Sequence, residues 1–284
     1  MDVCDARDPQ PTRRVGSVRF LNARPLVDGL ADRPGLEIHE DVPSRLLDEL
    51  LADRVDVALC PVIDFQTAAQ PLRLVPVGGI GSDGPTLTVR LYSQVPPEQI
   101  QYVQIDPDSH TSIVLLQIIL ADRYDRRPRL IEPGAAPGSP PPQAMLLIGD
   151  KVITRAPDAA TYPHQLDLGL AWKQMTGLPF VFAIWMARAD TDLGPLPQEL
   201  DEQRRRNVDR LDQIAARLGP AEGWPVDLAR RYLGEMLRYE TGSRQLQAIE
   251  RFWQRAYELH LIPHQRPLAL YPLDRAGAAA GPRA

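Results

Sequence analysis

Apolar residues follow two rhythms along this 284-residue chain. In the first two thirds, short runs such as RVGSVRF (14–20), LEIHEDV (36–42), VDVALCPV (55–62) and TLTVRLYS (86–93) alternate with helical patterns, and several are too continuously apolar for a strand with one solvated face. Between the second and third runs, PSRLLDELLADR (43–54) places Leu46, Leu47, Leu50 and Leu51 on one face of a helix. This alternation predicts an α/β sheet. A second unit repeats the order, with a strand QYVQID (101–106), a helix SHTSIVLLQIILADRY (109–124) and strands PRLIE (128–132) and AMLLIGDKVI (144–153). The proline-marked VPPEQI (95–100) predicts a crossing into it, and GLPFVFAIWMAR (177–188) the return crossing. Two crossings between two α/β units predict two lobes around a cleft, with hinges near 94–100 and 186–194. The last third turns helical: PLPQELDEQRRRNVDRLDQIAARL (195–218) is one pattern, and Leu246, Ile249, Trp253 and Ala256 recur at helical spacing in another. These helices are expected to pack on the first lobe and close the fold.

Composition narrows the function more than the fold. With 44% hydrophobic and 24% charged residues the chain is an ordinary globular one, and its formal net charge of -5 removes the basic footprint that nucleic-acid binding needs. The opening MDVCDARDPQPTRR lacks the apolar run of a secretory signal, and no stretch approaches the roughly 20 apolar residues of a membrane span. Neither Cys4 nor Cys60 has a partner at ligand spacing, so a reducing, cytoplasmic setting is expected. Proline is the outlier at 29 residues; EPGAAPGSPPPQ (132–143) reads as a surface loop, since proline lacks the amide donor that helices and central strands use.

Phosphate-loop, hydrolase-elbow and zinc motifs are all missing, and the five histidines are scattered, so a metal enzyme is not expected. What remains is hydroxyl-bearing helix starts and turns. In DPDSHTSIVLL (106–116), Ser109, His110, Thr111 and Ser112 sit where a helix begins; Ser109 reads first as an N-cap, and the sharper alternative is that the group holds an anion. Pro43 and Ser44 open the earlier helix in the same way. GSDGPTLTVRLYS (81–93) carries Ser82, Asp83 and Gly84, common turn formers, then Thr86 and Thr88 on one face of an expected strand, where both hydroxyls could line a cleft. Asn22 in VRFLNARPL (18–26) leaves two uses open: a cap for a helix beginning near Pro25, or a ligand contact at a strand exit.

Taken in order, VGSVRFLNARPL, PSRLLDELLADRVDVALCPVIDF, GSDGPTLTVRLYS, DPDSHTSIVLL, LLIGDKVI and DLGLAWKQMTGLPFVFAIWMAR resemble the chorismate dehydratases of the futalosine route to menaquinone. The likeness runs from about residue 14 to 188, with a weaker echo in LRYETGSRQLQAIERFWQRAYELHLI (237–262). It implies a two-lobed, periplasmic-binding-protein-like (type II) α/β fold with a central cleft and C-terminal helices. It further implies a cofactor-free lyase that removes water from chorismate to leave 3-[(1-carboxyvinyl)oxy]benzoate, acting as a monomer or homodimer without nucleic-acid or membrane partners. Expected boundaries are 14–94 plus 189–270 for lobe 1 and 95–188 for lobe 2, with 1–13 and 271–284 as tails. The resemblance assigns Asn22 and Thr88 to catalysis, Thr88 standing where serine is common. Ser109, Thr111 and Ser112 match a Ser-x-Thr-Ser helix start that holds a substrate carboxylate; His110 stands where arginine is frequent. Ser44, Ser82, Asp83 and Gly84 complete the expected substrate contacts. Dihydroxynaphthoate synthase of the same pathway is similar in fold, but its CPNDT-like opening is absent. A non-catalytic aromatic-acid binder or sensor remains the alternative, because one fold serves many functions.

Overall fold

The computed structural model describes residues 12–134 and 140–273, so Cys4, most of both expected tails and the middle of the proline-rich loop lie outside the described residues. Four strands come first: β1 (Arg13–Val18), β2 (Leu36–Asp41), β3 (Val57–Pro61) and β4 (Leu72–Ser82). Five more follow: β5 (Val89–Ser93), β6 (Tyr102–Gln104), β7 (Arg129–Ile131), β8 (Ala144–Ile148) and β9 (His164–Asp167). The chain then returns through β10 (Phe180–Arg188) and ends its strands at β11 (Leu237–Arg238). One sheet has the order β11-β4-β10-β3-β1-β2, the other β7-β6-β8-β5-β9. β1 lies parallel between β2 and β3, while β10 lies antiparallel between β3 and β4, burying Phe180 through Ala187.

This layout corrects the expected boundaries. Only Val89–Ser93 of the 86–93 run is a strand, and it pairs with β8 and β9 in the second sheet; GLPFVFAIWMAR supplies β10, a central strand of the first. The passages between sheets therefore fall at 83–88 and 168–179, not at 94–100 and 186–194. The physical reason is pairing: β5 and β10 find their ladder partners in the other sheet, which no pattern along either strand discloses. The expected tails also shrink. Arg13 begins β1, and the Tyr271 amide donates to the Leu74 carbonyl at 2.7 Å.

β4 has no counterpart among the expected strands. Its sequence LRLVPVGGIGS holds a proline and three glycines, which obscure a strand. The glycines serve the close approach of β10: a Cβ at Gly79 or Gly81 would stand 2.6 Å from the carbonyl oxygen of Ala183 or Phe180. AMLLIGDKVI is likewise only half strand, because Gly149 at φ +63° turns the chain into a short helix, Lys151–Thr154.

The 195–218 pattern divides into helices Leu196–Val208 and Leu211–Leu218. Then come Val226–Arg231, a π-helical turn Tyr232–Met236, and β11 on the edge of β4. Helix Ser243–Glu258 buries the expected face, Ile249, Trp253 and Ala256 with Phe252. Trp253 stacks on Phe65 (4.9 Å between ring centroids), and Phe252 meets Phe180 and Trp172 edge-on; such aromatic pairs add about 0.5–1.5 kcal/mol each beyond their burial. The same helix pairs Arg255 with Asp122 on helix His110–Tyr124, so the C-terminal helices touch elements of both sheets rather than the first lobe alone.

Candidate active site

A cavity of about 40 Å³, partly open to solvent, lies between the strand ends of the two sheets. Its walls are mostly apolar: Val18 at the end of β1 and Phe20 beyond it, Pro61, Ile80 and Phe182 from the first sheet, and Val89 and Ile148 from the second. The polar groups in its lining are Asn22, Thr86, Thr88, Ser109, Ser112 and Tyr232. An apolar cleft with a few converging polar groups is the usual form of a small-molecule site.

Asn22 sits in a single 3-10 turn, Leu21–Ala23, that leads directly into the short helix Arg24–Val27 with Pro25 in its first turn. Neither helical start has a side-chain cap, so the capping use of Asn22 is not realised. Its Oδ1 is instead buried without a hydrogen-bond partner while the residue lines the cavity. A buried amide oxygen left unpaired costs about 1–3 kcal/mol, a cost that a donor on a bound ligand would remove.

The 82–88 loop is divided. Thr86 and Thr88 face the cavity although neither lies in a strand. Ser82 turns its hydroxyl to the Gly84 carbonyl at 3.2 Å, Asp83 pairs outward with Lys173 at 2.5 Å, and no atom lies within 4 Å of a Cβ built on Gly84. None of these three expected contacts is in the cavity lining. A residue that sequence reasoning passed over holds the loop: the buried Asp167 carboxylate accepts from the amides of Thr86 (3.0 Å), Leu87 (2.7 Å) and Leu170 (3.0 Å). It fixes Leu87 at φ +61°, an uncommon backbone for a branched side chain, and caps helix Leu168–Thr176 with the same group.

The helix start at 109–112 is divided as well, by helical geometry. Ser109 is the N-cap, its oxygen accepting from the Ser112 amide at 3.3 Å, and the two hydroxyls bond each other at 2.9 Å with both in the cavity wall. The cap and the ligand contact are thus one side chain. Thr111 points away and accepts from the Ile63 amide at 3.2 Å. His110 also turns away from the cavity, its Nδ1 lying 2.8 Å from Asp64 Oδ1. Asp64 holds the imidazole pKa above its usual value, and burial pushes the Asp64 carboxyl up. Ser44 does not line the cavity; its amide donates to the Asp108 carbonyl at 3.1 Å, so only Pro43 of that helix start reaches the wall.

The C-terminal segment closes the site, and no motif pointed to it. Tyr232 is buried, its hydroxyl 2.6 Å from Thr88 Oγ1, and its ring stacks on Trp224 at 4.7 Å. Trp224 Nε1 donates to Asp150 at 2.8 Å, and the other Asp150 oxygen accepts from the Leu21 amide at 3.3 Å. Burial pushes the Asp150 carboxyl up. Phe20 lies against Gly149 so closely that a Cβ there would stand 2.9 Å from its ring. Asp150 and Gly149, from the second sheet, are thereby joined to the turn that carries Asn22.

Among the described residues no cluster of three His, Cys, Asp or Glu is placed to hold a metal, and no helix is long and apolar enough to cross a membrane. A family model described as menaquinone biosynthesis matches residues 13–258. The chain belongs to that menaquinone biosynthesis family. The match spans both sheets, the cavity and the segment bearing Tyr232. A chorismate dehydratase of Thermus thermophilus is 29% identical over 221 residues, 71% of this chain and 79% of its own. A chorismate dehydratase of Campylobacter jejuni is 23% identical over 243 residues, 85% of this chain and 92% of its own. In three dimensions this family member superposes on the periplasmic aliphatic sulphonate binding protein of Escherichia coli with a TM-score of 0.60 at 15% identity, covering 90% of this chain and 94% of that one. The fold is that of the periplasmic binding proteins, as expected from the motif order.

Proposed function

We propose that the protein is a chorismate dehydratase, a carbon-oxygen lyase acting in menaquinone biosynthesis. The observation that carries the reading is the make-up of the cavity: it offers an amide and hydroxyls on apolar walls, and among the described residues no carboxylate, imidazole or amine lines it. Most enzymes that remove a carbon-bound proton present such a base. Loss of water from chorismate needs little of one, because the ring becomes aromatic and the substrate brings its own carboxylates. In this reading the enolpyruvyl carboxylate takes the proton from the ether-bearing carbon. The C–H electron pair enters the ring, the neighbouring carbon-oxygen bond breaks, and the departing hydroxide is protonated to water.

The protein's part is orientation. Asn22 Oδ1 accepts a hydrogen bond from the reacting end of the substrate, the Thr88 hydroxyl meets the leaving hydroxyl, and Ser109 and Ser112 hold a carboxylate at the positive end of a 15-residue helix. Holding reacting groups in line is worth about 7–11 kcal/mol in favourable intramolecular systems. The test is incubation of the purified protein with chorismate, followed by chromatography for 3-[(1-carboxyvinyl)oxy]benzoate. Product formation supports the lyase; chorismate recovered unchanged from a stable complex would favour a binding protein or sensor. Asn22→Ala should slow turnover about a hundredfold, the usual scale for one preorganised polar contact, and a near-normal rate removes Asn22 from the chemistry.

A further inference from the structure

We propose that Tyr232 is a positioning residue: its hydroxyl locks the Thr88 side chain into one rotamer, so that the two hydroxyls together offer a single O–H to the cavity. The kinetic consequence rests on the dehydratase reading; the structural consequence rests on the geometry alone.

Two hydroxyls 2.6 Å apart share one proton, and the second proton is left for another acceptor. Beyond Tyr232, the protein acceptor that Thr88 Oγ1 meets is the Thr86 carbonyl, at 3.4 Å, too long for a strong O–H bond. The remaining proton is therefore available to a group in the cavity that both residues line. Burial pushes the phenol pKa up, against the opposing effect of Thr88 and Asn22 beside it.

The chain makes this contact rigid from the far side. The Tyr232 ring is stacked on Trp224 with an interplanar angle of 16°, and Trp224 is tied through Nε1 to Asp150. Tyr232 opens a π-helical turn, an uncommon backbone form that recurs at functional sites. Threonine needs such a partner more than serine does. It has a methyl and a hydroxyl on the same carbon, and a rotation by one staggered well would put the methyl where the hydroxyl must act.

Tyr232→Phe keeps the ring and its stack and deletes one oxygen. Side-chain couplings of a methyl-labelled Thr88 are the direct measurement, and the native protein should show one rotamer that becomes averaged in Tyr232→Phe. Averaging already present in the native protein, or an unchanged single rotamer in the variant, overturns the proposal whatever the reaction. With chorismate, Tyr232→Phe should lower kcat about tenfold to a hundredfold, the scale of a misplaced catalytic group, while KM moves by less than about threefold. Thr88→Val and the double variant Thr88→Val/Tyr232→Phe should then be equally slow, because Tyr232 acts through Thr88. Multiplying effects, or full activity in Tyr232→Phe, overturn the proposal while leaving the dehydratase standing. A native protein that leaves chorismate unchanged defeats the dehydratase reading and the kinetic arm with it, and the rotamer measurement still decides the positioning role.

Discussion

The loop at 82–88 and the helix start at 109–112 are alike in composition, each a short stretch of hydroxyl and acidic or imidazole side chains at a chain turn, and each sends two hydroxyls into the cavity. They are held by opposite means. At the helix start the choice of Ser109 and Ser112 over His110 and Thr111 is local: residues three apart share a helical face, and the cap bonds lie within four residues. In the loop the choice of Thr86 and Thr88 is made by groups far along the chain, the Asp167 carboxylate under the backbone and the Tyr232 hydroxyl against the side chain. A locally built half can be weakened one contact at a time. A half built by tertiary contacts fails when its distant support goes.

Asp167→Ala should break the comparison hardest. It strips the acceptor from three amides at once and should cost about 3 kcal/mol or more in denaturant unfolding, given that bonds to charged groups contribute about 1.5–3 kcal/mol each. Turnover of chorismate should fall with the loop, although Asp167 does not line the cavity. A variant with native stability and rate would show that the loop holds its shape without the carboxylate.

Ser109→Ala tests the local half. Loss of the cap should cost about 1 kcal/mol, and KM for chorismate should rise more than kcat falls, since the helix start is assigned to carboxylate binding. An unchanged KM would leave Ser109 as a cap alone.

The pH dependence of stability probes the back of the same helix start. Asp64 raises the His110 pKa above its ordinary 6.5 in the folded protein. The stabilisation is then fully present below pH 6.5 and is lost as pH rises through the folded value. The raised Asp64 carboxyl acts in the same direction. Thermal unfolding from pH 6 upward should show a loss in the native protein that His110→Gln lacks, with little effect on KM. A loss on the acid side instead would reverse the assignment.

Asp83→Ala should do least. Its ion pair with Lys173 is at the surface, and such pairs contribute about 0–1 kcal/mol. Stability and rate should both stay near native, and a large loss of rate would place Asp83 back at the substrate.

The chain by itself determined the α/β class and the apolar faces of helices 43–51 and 243–258. Their periodicity records burial directly, one residue at a time. Ser109 and Ser112 were legible for the same reason, since cap and cavity face follow from spacing along one helix. Asn22 and Thr88 were reached through motif order. Tertiary structure alone decided which sheet takes β5 and β10, that β4 is a strand despite its glycines, and that Asn22 turns a bare oxygen to the cavity. It alone decided that Ser44, Ser82, Asp83, His110 and Thr111 face elsewhere, that Gly84 is not in the cavity lining, and that Tyr232, Asp150 and Asp167 complete the arrangement. Strand pairing and the bonds of a buried carboxylate join residues far apart in the chain, and a pattern read along the chain carries no term for such contacts.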